Sequence, residues 1–114
     1  MINLTEKDLI RLNQEMGEEG QLHNESSLQF ALNMMRLKKS WLHELAYLLR
    51  CLLVDHVFKD GNKRTALATT ILYLEDKNIR WDKEKLVKSI HEIAKNNYRS
   101  IEKIMRVIKN ATTD

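Results

Sequence analysis

Apolar positions along the chain fall into six blocks, and each block repeats with the period of an α-helix rather than of a strand. Thr5 and Asp8 resemble a capping box ahead of Leu9, Ile10, Leu12 and Met16, which predicts a first helix over about 5–16, stopped by Gly17. The polar stretch from Glu18 to Asn24 holds a second glycine and predicts a mobile connection. Asn24 or Ser26 then caps a second helix with Leu28, Ala31, Leu32 and Met35 on one face. From Leu42 to Asp55 the apolar residues wrap almost the whole circumference, the pattern of a helix buried on most sides. Ala66 to Leu74 repeats that pattern, with threonines and Tyr73 as its polar relief. Asp76-Lys77-Asn78 ends this fourth helix, and Ile79-Arg80-Trp81 reads as an extended connector. Asp82 caps a fifth helix carrying Leu86, Ile90, Ile93 and Ala94 inside, and Ser100 caps a sixth carrying Ile101, Ile104, Met105 and Ile108. The expected architecture is all-α: a compact single-domain bundle spanning 1–114, with two central apolar helices sheathed by amphipathic ones and a frayed end at 111–114.

Composition narrows this picture. With 114 residues, 43% hydrophobic and 31% charged, the chain affords one modest core and does not read as disordered. Three glycines and no proline leave few tight turns, against a many-stranded sandwich. The net charge of +3 falls short of a nucleic-acid-coating surface, so direct nucleic-acid binding is not expected. Cys51, the single cysteine, excludes an internal disulfide and sits where a buried thiol is the default. The first residues hold no apolar signal segment, and Arg50 interrupts the most apolar run. The chain therefore reads as cytoplasmic, with no membrane partner.

Between the two apolar helices lies His56-Val57-Phe58-Lys59-Asp60-Gly61-Asn62-Lys63-Arg64-Thr65, which has the parts of a phosphate site. Amides that open a helix lack intrahelical partners and point outward toward an anion. Gly61 removes a side chain where a ligand would approach the backbone. Lys63 and Arg64 stand at a helix N-terminus, where the macrodipole disfavours cations unless an anion arrives. Asp60 is a hard oxygen ligand suited to Mg2+ shared with substrate phosphates. His56, as the imidazole of the loop, suits a general base for a hydroxyl nucleophile, and Phe58 would anchor the loop in the core. The same residues also fit a plain turn, with Asp-Gly bending the chain, Asn62 as a cap and His56 favouring a helix C-terminus. Spacing alone leaves both readings open.

The run His56-x-Phe58-x-Asp60-Gly61-Asn62-Lys63-Arg64 resembles the signature of the Fic/Doc family, H-x-F-x-[D/E]-G-N-[G/K]-R. Lys63, followed by Thr65-Ala66-Leu67, is more similar to its Doc (death-on-curing) toxin branch. The resemblance extends to the apolar helix before the motif and to the stretch from Gly20 to Leu32. It implies His56 as catalytic base, Asp60 as Mg2+ ligand, and Gly61, Asn62, Lys63 and Arg64 as the nest for the phosphates of ATP. The AMP-transferring branch has a small residue at the position of Lys63 and a second arginine at that of Leu67. Both departures point away from AMP transfer. They point toward transfer of the terminal phosphoryl group to a threonine of a target such as elongation factor Tu. The resemblance also implies a flap at Gln21, Leu22 and His23 that docks a protein target bearing a hydroxyl, and a separate antitoxin protein as partner.

Remaining signals are weaker. His43-Glu44 and His91-Glu92 begin like zinc-protease helices, but Tyr47 and Lys95 stand where a second histidine is needed. Lys85, Lys88 and Lys95 read as a solvated basic stripe, and Trp41 and Trp81 as core plugs. Ser40-x-x-x-Glu44 approaches the family's restraining glutamate motif but continues with Leu45. A non-catalytic basic helical module, binding through Lys63, Arg64 and the fifth-helix lysines, is the rival of another class.

Overall fold

Each apolar block becomes a helix in the computed structural model, which describes residues 2–37 and 39–112. The order is α1 (Glu6–Glu15), α2 (Glu25–Met35), α3 (Trp41–Leu53), α4 (Asn62–Asp76), α5 (Lys83–Asn96) and α6 (Ile101–Lys109). Thr5, Asn24, Ser40, Asp82 and Ser100 each accept a hydrogen bond from the amide three residues on, fixing five of the six starts. Thr5 and Asp8 complete the reciprocal box, since the Thr5 amide donates to the Asp8 carboxylate at 2.9 Å. Asn24, rather than Ser26, caps α2. No helix among the described residues is long and apolar enough to cross a membrane.

The result is the expected all-α bundle. α3 is its axis, packing against α2, α4 and α6, while α4 also carries α1 and α5. Seven residues of α3 are buried: Leu45, Ala46, Leu48, Leu49, Cys51, Leu52 and Leu53. At about 25 cal/mol per Å2 of apolar surface, a helix buried this way anchors the whole domain. Cys51 lies inside it, and its thiol donates to the Leu48 carbonyl at 3.1 Å. Burial, with the nearby Asp55 charge adding to it, pushes that thiol up to about 12.

α4 departs from its expected pattern. Thr65, Thr69 and Thr70 are fully buried, whereas Leu72 is exposed. Two of them hide their hydroxyls within the helix: Thr69 donates to the Thr65 carbonyl and Thr70 to the Ala66 carbonyl, both at 2.8 Å. The polar relief is thus the packed face. Tyr73 is buried beside them, its hydroxyl without a partner in hydrogen-bonding geometry. Burial, then the neighbouring charges of Glu44 and Asp76, pushes its pKa well above the ordinary phenol value.

The expected fraying from 111 is corrected at Ala111 and Thr112. Ala111 is fully buried, its carbonyl accepts the Asp82 amide at 3.2 Å, and Thr112 pairs with Trp81 as an antiparallel bridge. The rest of that stretch, residues 113 and 114, lies outside the described residues. Trp41 and Trp81 both pack against the core, as expected of plugs.

Candidate active site

α3 ends without a glycine. The amides of Val54 and Asp55 both reach the Arg50 carbonyl, at 3.0 and 3.1 Å, and the Val57 amide reaches Cys51 at 3.1 Å. Between them His56 takes φ +52, in the left-handed region. That conformation costs a non-glycine residue about 1–2 kcal/mol and persists only where the surroundings enforce it. The enforcement comes through Asp55. Its carboxylate accepts Ser27 Oγ at 2.6 Å and Arg99 Nη1 at 2.8 Å, and its carbonyl accepts Asn24 Nδ2 at 3.1 Å. Burial works to raise the Asp55 pKa, but the hydrogen bonds from Arg99 and Ser27 outweigh it and hold the carboxyl below its ordinary value. The start of α2 and the approach to α6 thus position the residue just before His56.

The following loop is clamped from both sides. The polar connection expected to be mobile is tied to it: Leu22 and Phe58 form an antiparallel bridge, His23 and Asn24 donate to the Val57 carbonyl, and Lys59 donates to Gln21. Phe58 is fully buried, anchoring the loop. Asn62 holds the Phe58 backbone twice, accepting its amide at 3.0 Å and donating to its carbonyl at 2.8 Å. Asn13, buried on α1, donates to the Asp60 carbonyl at 2.9 Å and to Thr65 Oγ1 at 3.1 Å while accepting the Gly20 amide at 2.8 Å.

Gly61, not Asn62, is the N-cap of α4, with φ +78 and no side-chain cap. A Cβ here would lie 2.5 Å from Glu18 Cγ and 3.1 Å from Asn13 Nδ2. The space beside this glycine, expected to receive a ligand, is taken by the Glu18 side chain. The first turn of α4 contains no acidic residue, and its cations, Lys63 and Arg64, are exposed. Arg64 donates to the Met16 carbonyl at 2.8 Å and pairs with the Glu18 carboxylate. Glu18 therefore supplies the negative charge that the helix start lacks. Lys63 and the carboxylate of Asp60 have no such partner among the described residues.

His56, Asp60, Gly61, Asn62, Lys63 and Arg64 share the wall of one cavity of about 490 Å3, together with Lys59, Leu53 and, from α5, His91 and Ala94. A smaller hollow of about 370 Å3 adjoins it at Asp60 and Lys59 and is bordered by Gln21, Glu18 and Asn13. Of the flap residues, Gln21 reaches this hollow, whereas Leu22 and His23 pair along the loop backbone. Sequence reasoning missed Asn13, Glu18, Asp55 and His91. Lys88 and Lys95 approach the site from α5 in a further cavity, which Lys85 does not line.

Among the described residues, no group of three or more His, Cys, Asp or Glu side chains could by itself hold a metal ion. A lone exposed carboxylate such as Asp60 fits a hard cation that takes its remaining ligands from water and substrate phosphates, as Mg2+ does.

The sequence matches the model of the Fic/DOC family over residues 3–74, from the approach to α1 through nearly all of α4. The chain belongs to the Fic/DOC family. No curated protein matches it. Fic/DOC proteins are typically transferases that act on proteins, usually with ATP and Mg2+. The match contains the whole loop from His56 to Arg64 and ends before α5, which contributes His91 to the same cavity.

Proposed function

We propose that this Fic/DOC protein transfers the terminal phosphoryl group of ATP to a hydroxyl side chain of a protein target, as the Doc branch does. The observation that carries the reading is Lys63. It is an exposed, unpaired cation in the first turn of α4, at the position where the AMP-transferring branch has a small residue. The second arginine of that branch is replaced by Leu67, which is half-buried and offers no charge.

The residues fit the chemistry in parts. The acceptor hydroxyl attacks the terminal phosphorus, the bond from that phosphorus to the bridging oxygen breaks, and ADP leaves. The hydroxyl proton passes to the His56 imidazole, which stands in the same cavity as Lys63 and the α4 amides. Lys63 and the helix N-terminus hold the charge of the terminal phosphates, and Arg64, already paired with Glu18, stiffens the loop behind them. Asp60 would hold Mg2+, which supplies charge neutralisation when bound. A threonine of a translation factor such as elongation factor Tu is the target the Doc resemblance implies, and an antitoxin protein the partner.

Transfer of labelled phosphate from ATP to a target, read by autoradiography and mass spectrometry, tests this. His56→Ala is expected to lower transfer by about 10²–10⁴-fold with the helical circular dichroism unchanged. An added AMP rather than an added phosphate on the target would replace phosphoryl transfer with adenylylation by the same residues.

A further inference from the structure

The cavity facing the loop does not end there. A second cavity of about 780 Å3 shares His56, Lys63, His91 and Ala94 with it, so the two form one groove running from the loop along α5. Farther out the groove is walled by Val87, Lys88, Lys95 and Asn96. Glu92 also borders it, but its carboxylate already accepts the Tyr98 hydroxyl at 3.0 Å. With that one carboxylate set against Lys88 and Lys95, the outer groove carries a net positive charge. It offers no Phe, Tyr or Trp ring on which a nucleobase could stack. The loop-end cavity of about 490 Å3 is by itself of the size that small-molecule sites have, which leaves the outer part to something else.

Lys88, His91 and Lys95 stand at i, i+3 and i+7, on one face of α5. The two lysines are about 10.5 Å apart along the helix axis. In a peptide of polyproline II conformation, with three residues per turn, residues three apart lie on the same face about 9 Å from each other, so two carboxylates at that spacing would meet both ammonium groups. We infer that the α5 groove binds an extended acidic segment of the acceptor protein. Lys88 and Lys95 pair with two of its carboxylates, and His91 lies where the segment passes toward His56. That the segment belongs to the acceptor rests on the phosphotransfer reading above; its binding is measurable without turnover.

The test is an NMR titration of the full 15N-labelled chain with a synthetic peptide containing one threonine and two glutamates three residues apart. Saturating shifts are expected over residues 87–96. Two partly exposed ion pairs of about 0.7 kcal/mol each imply about tenfold weaker binding when the glutamates become glutamines, or in the Lys88→Glu, Lys95→Glu double variant. MgATP should shift residues 56–64 with equal affinity in the native chain and the double variant. Equal affinity for the two peptides, or shifts confined to other faces, overturns the inference. So does a loss of MgATP affinity in the double variant, which would give the groove to the nucleotide, or displacement of the peptide by a single-stranded oligothymidylate bound more tightly to the same residues. If the peptide behaves as expected but MgATP leaves residues 56–64 unmoved, the acidic groove stands and the phosphotransfer reading falls.

Discussion

Asn97 closes α5 with φ +50, and His56 follows α3 with φ +52. The surroundings of these two left-handed residues have little in common. At Asn97 the Tyr98 amide reaches back to Ile93 at 3.2 Å and the Asn97 amide to Ala94 at 3.4 Å, which satisfies the last carbonyls of α5 in a Schellman arrangement. Asparagine suits that position, because its short amide tolerates a left-handed backbone. Three residues on, Ser100 caps α6 and Glu102 sits in its first turn, where the dipole favours an acid. At His56 a bulky ring takes the left-handed position, and α4 opens with a glycine, no side-chain cap, and cations in its first turn. One turn follows every local rule of helix ends. The other breaks several at once and is held in shape by partners distant in sequence: Asn13, Glu18, and the Ser27 and Arg99 side chains that fix Asp55. Such a concentration of locally unfavourable choices is the pattern expected of a functional or strained site.

The largest test of this contrast is Asn13→Ala. It strips hydrogen bonds from the Gly20 amide, the Asp60 carbonyl and Thr65 in a buried place, and is expected to cost about 3 kcal/mol in urea unfolding. Ser100→Ala, which removes only a local cap, should cost about 1 kcal/mol. Equal losses would mean that the α3–α4 turn depends no more on distant partners than the α5–α6 turn does. A smaller pair of changes probes the sign of the dipole. Lys63→Glu should stabilise the fold by about 0.5 kcal/mol while weakening MgATP binding, and Glu102→Lys should destabilise it by a similar amount. Stabilisation by both, or by neither, would remove the electrostatic distinction between the turns. The last test reads a pH dependence, at Asp55. Its folded pKa is depressed, so its contribution is present above its ordinary value near 3.8 and fades as the pH falls through that range. Acid titration of Asp55→Asn should show a shallower loss of stability below pH 4 than the native chain.

What could be read from the sequence was local. Each capped start follows from a Ser, Thr, Asn or Asp placed ahead of an apolar repeat, and the loop from His56 to Arg64 is contiguous, so its residue types announce themselves together. What stayed hidden was non-local or depended on packing. Asn13 meets Asp60 and Thr65 across 47 and 52 residues, and Glu18 meets Arg64 across 46. No spacing rule reaches that far. His91 looked like a failed zinc ligand because its partners are on other helices. The burial of Thr65, Thr69 and Thr70 was hidden too: the Thr69 and Thr70 hydroxyls are satisfied by their own helix and pack as apolar groups would, while Thr65 Oγ1 accepts from Asn13 on another helix.

The thiol inside α3 has a practical corollary. Because Cys51 is the chain's one cysteine, is sealed by its neighbours and is held in its neutral form, a thiolate-seeking reagent finds nothing to attack while the bundle is closed. Alkylation kinetics would therefore count opening events at the centre of the molecule, making this residue a native gauge of how often the axial helix loosens.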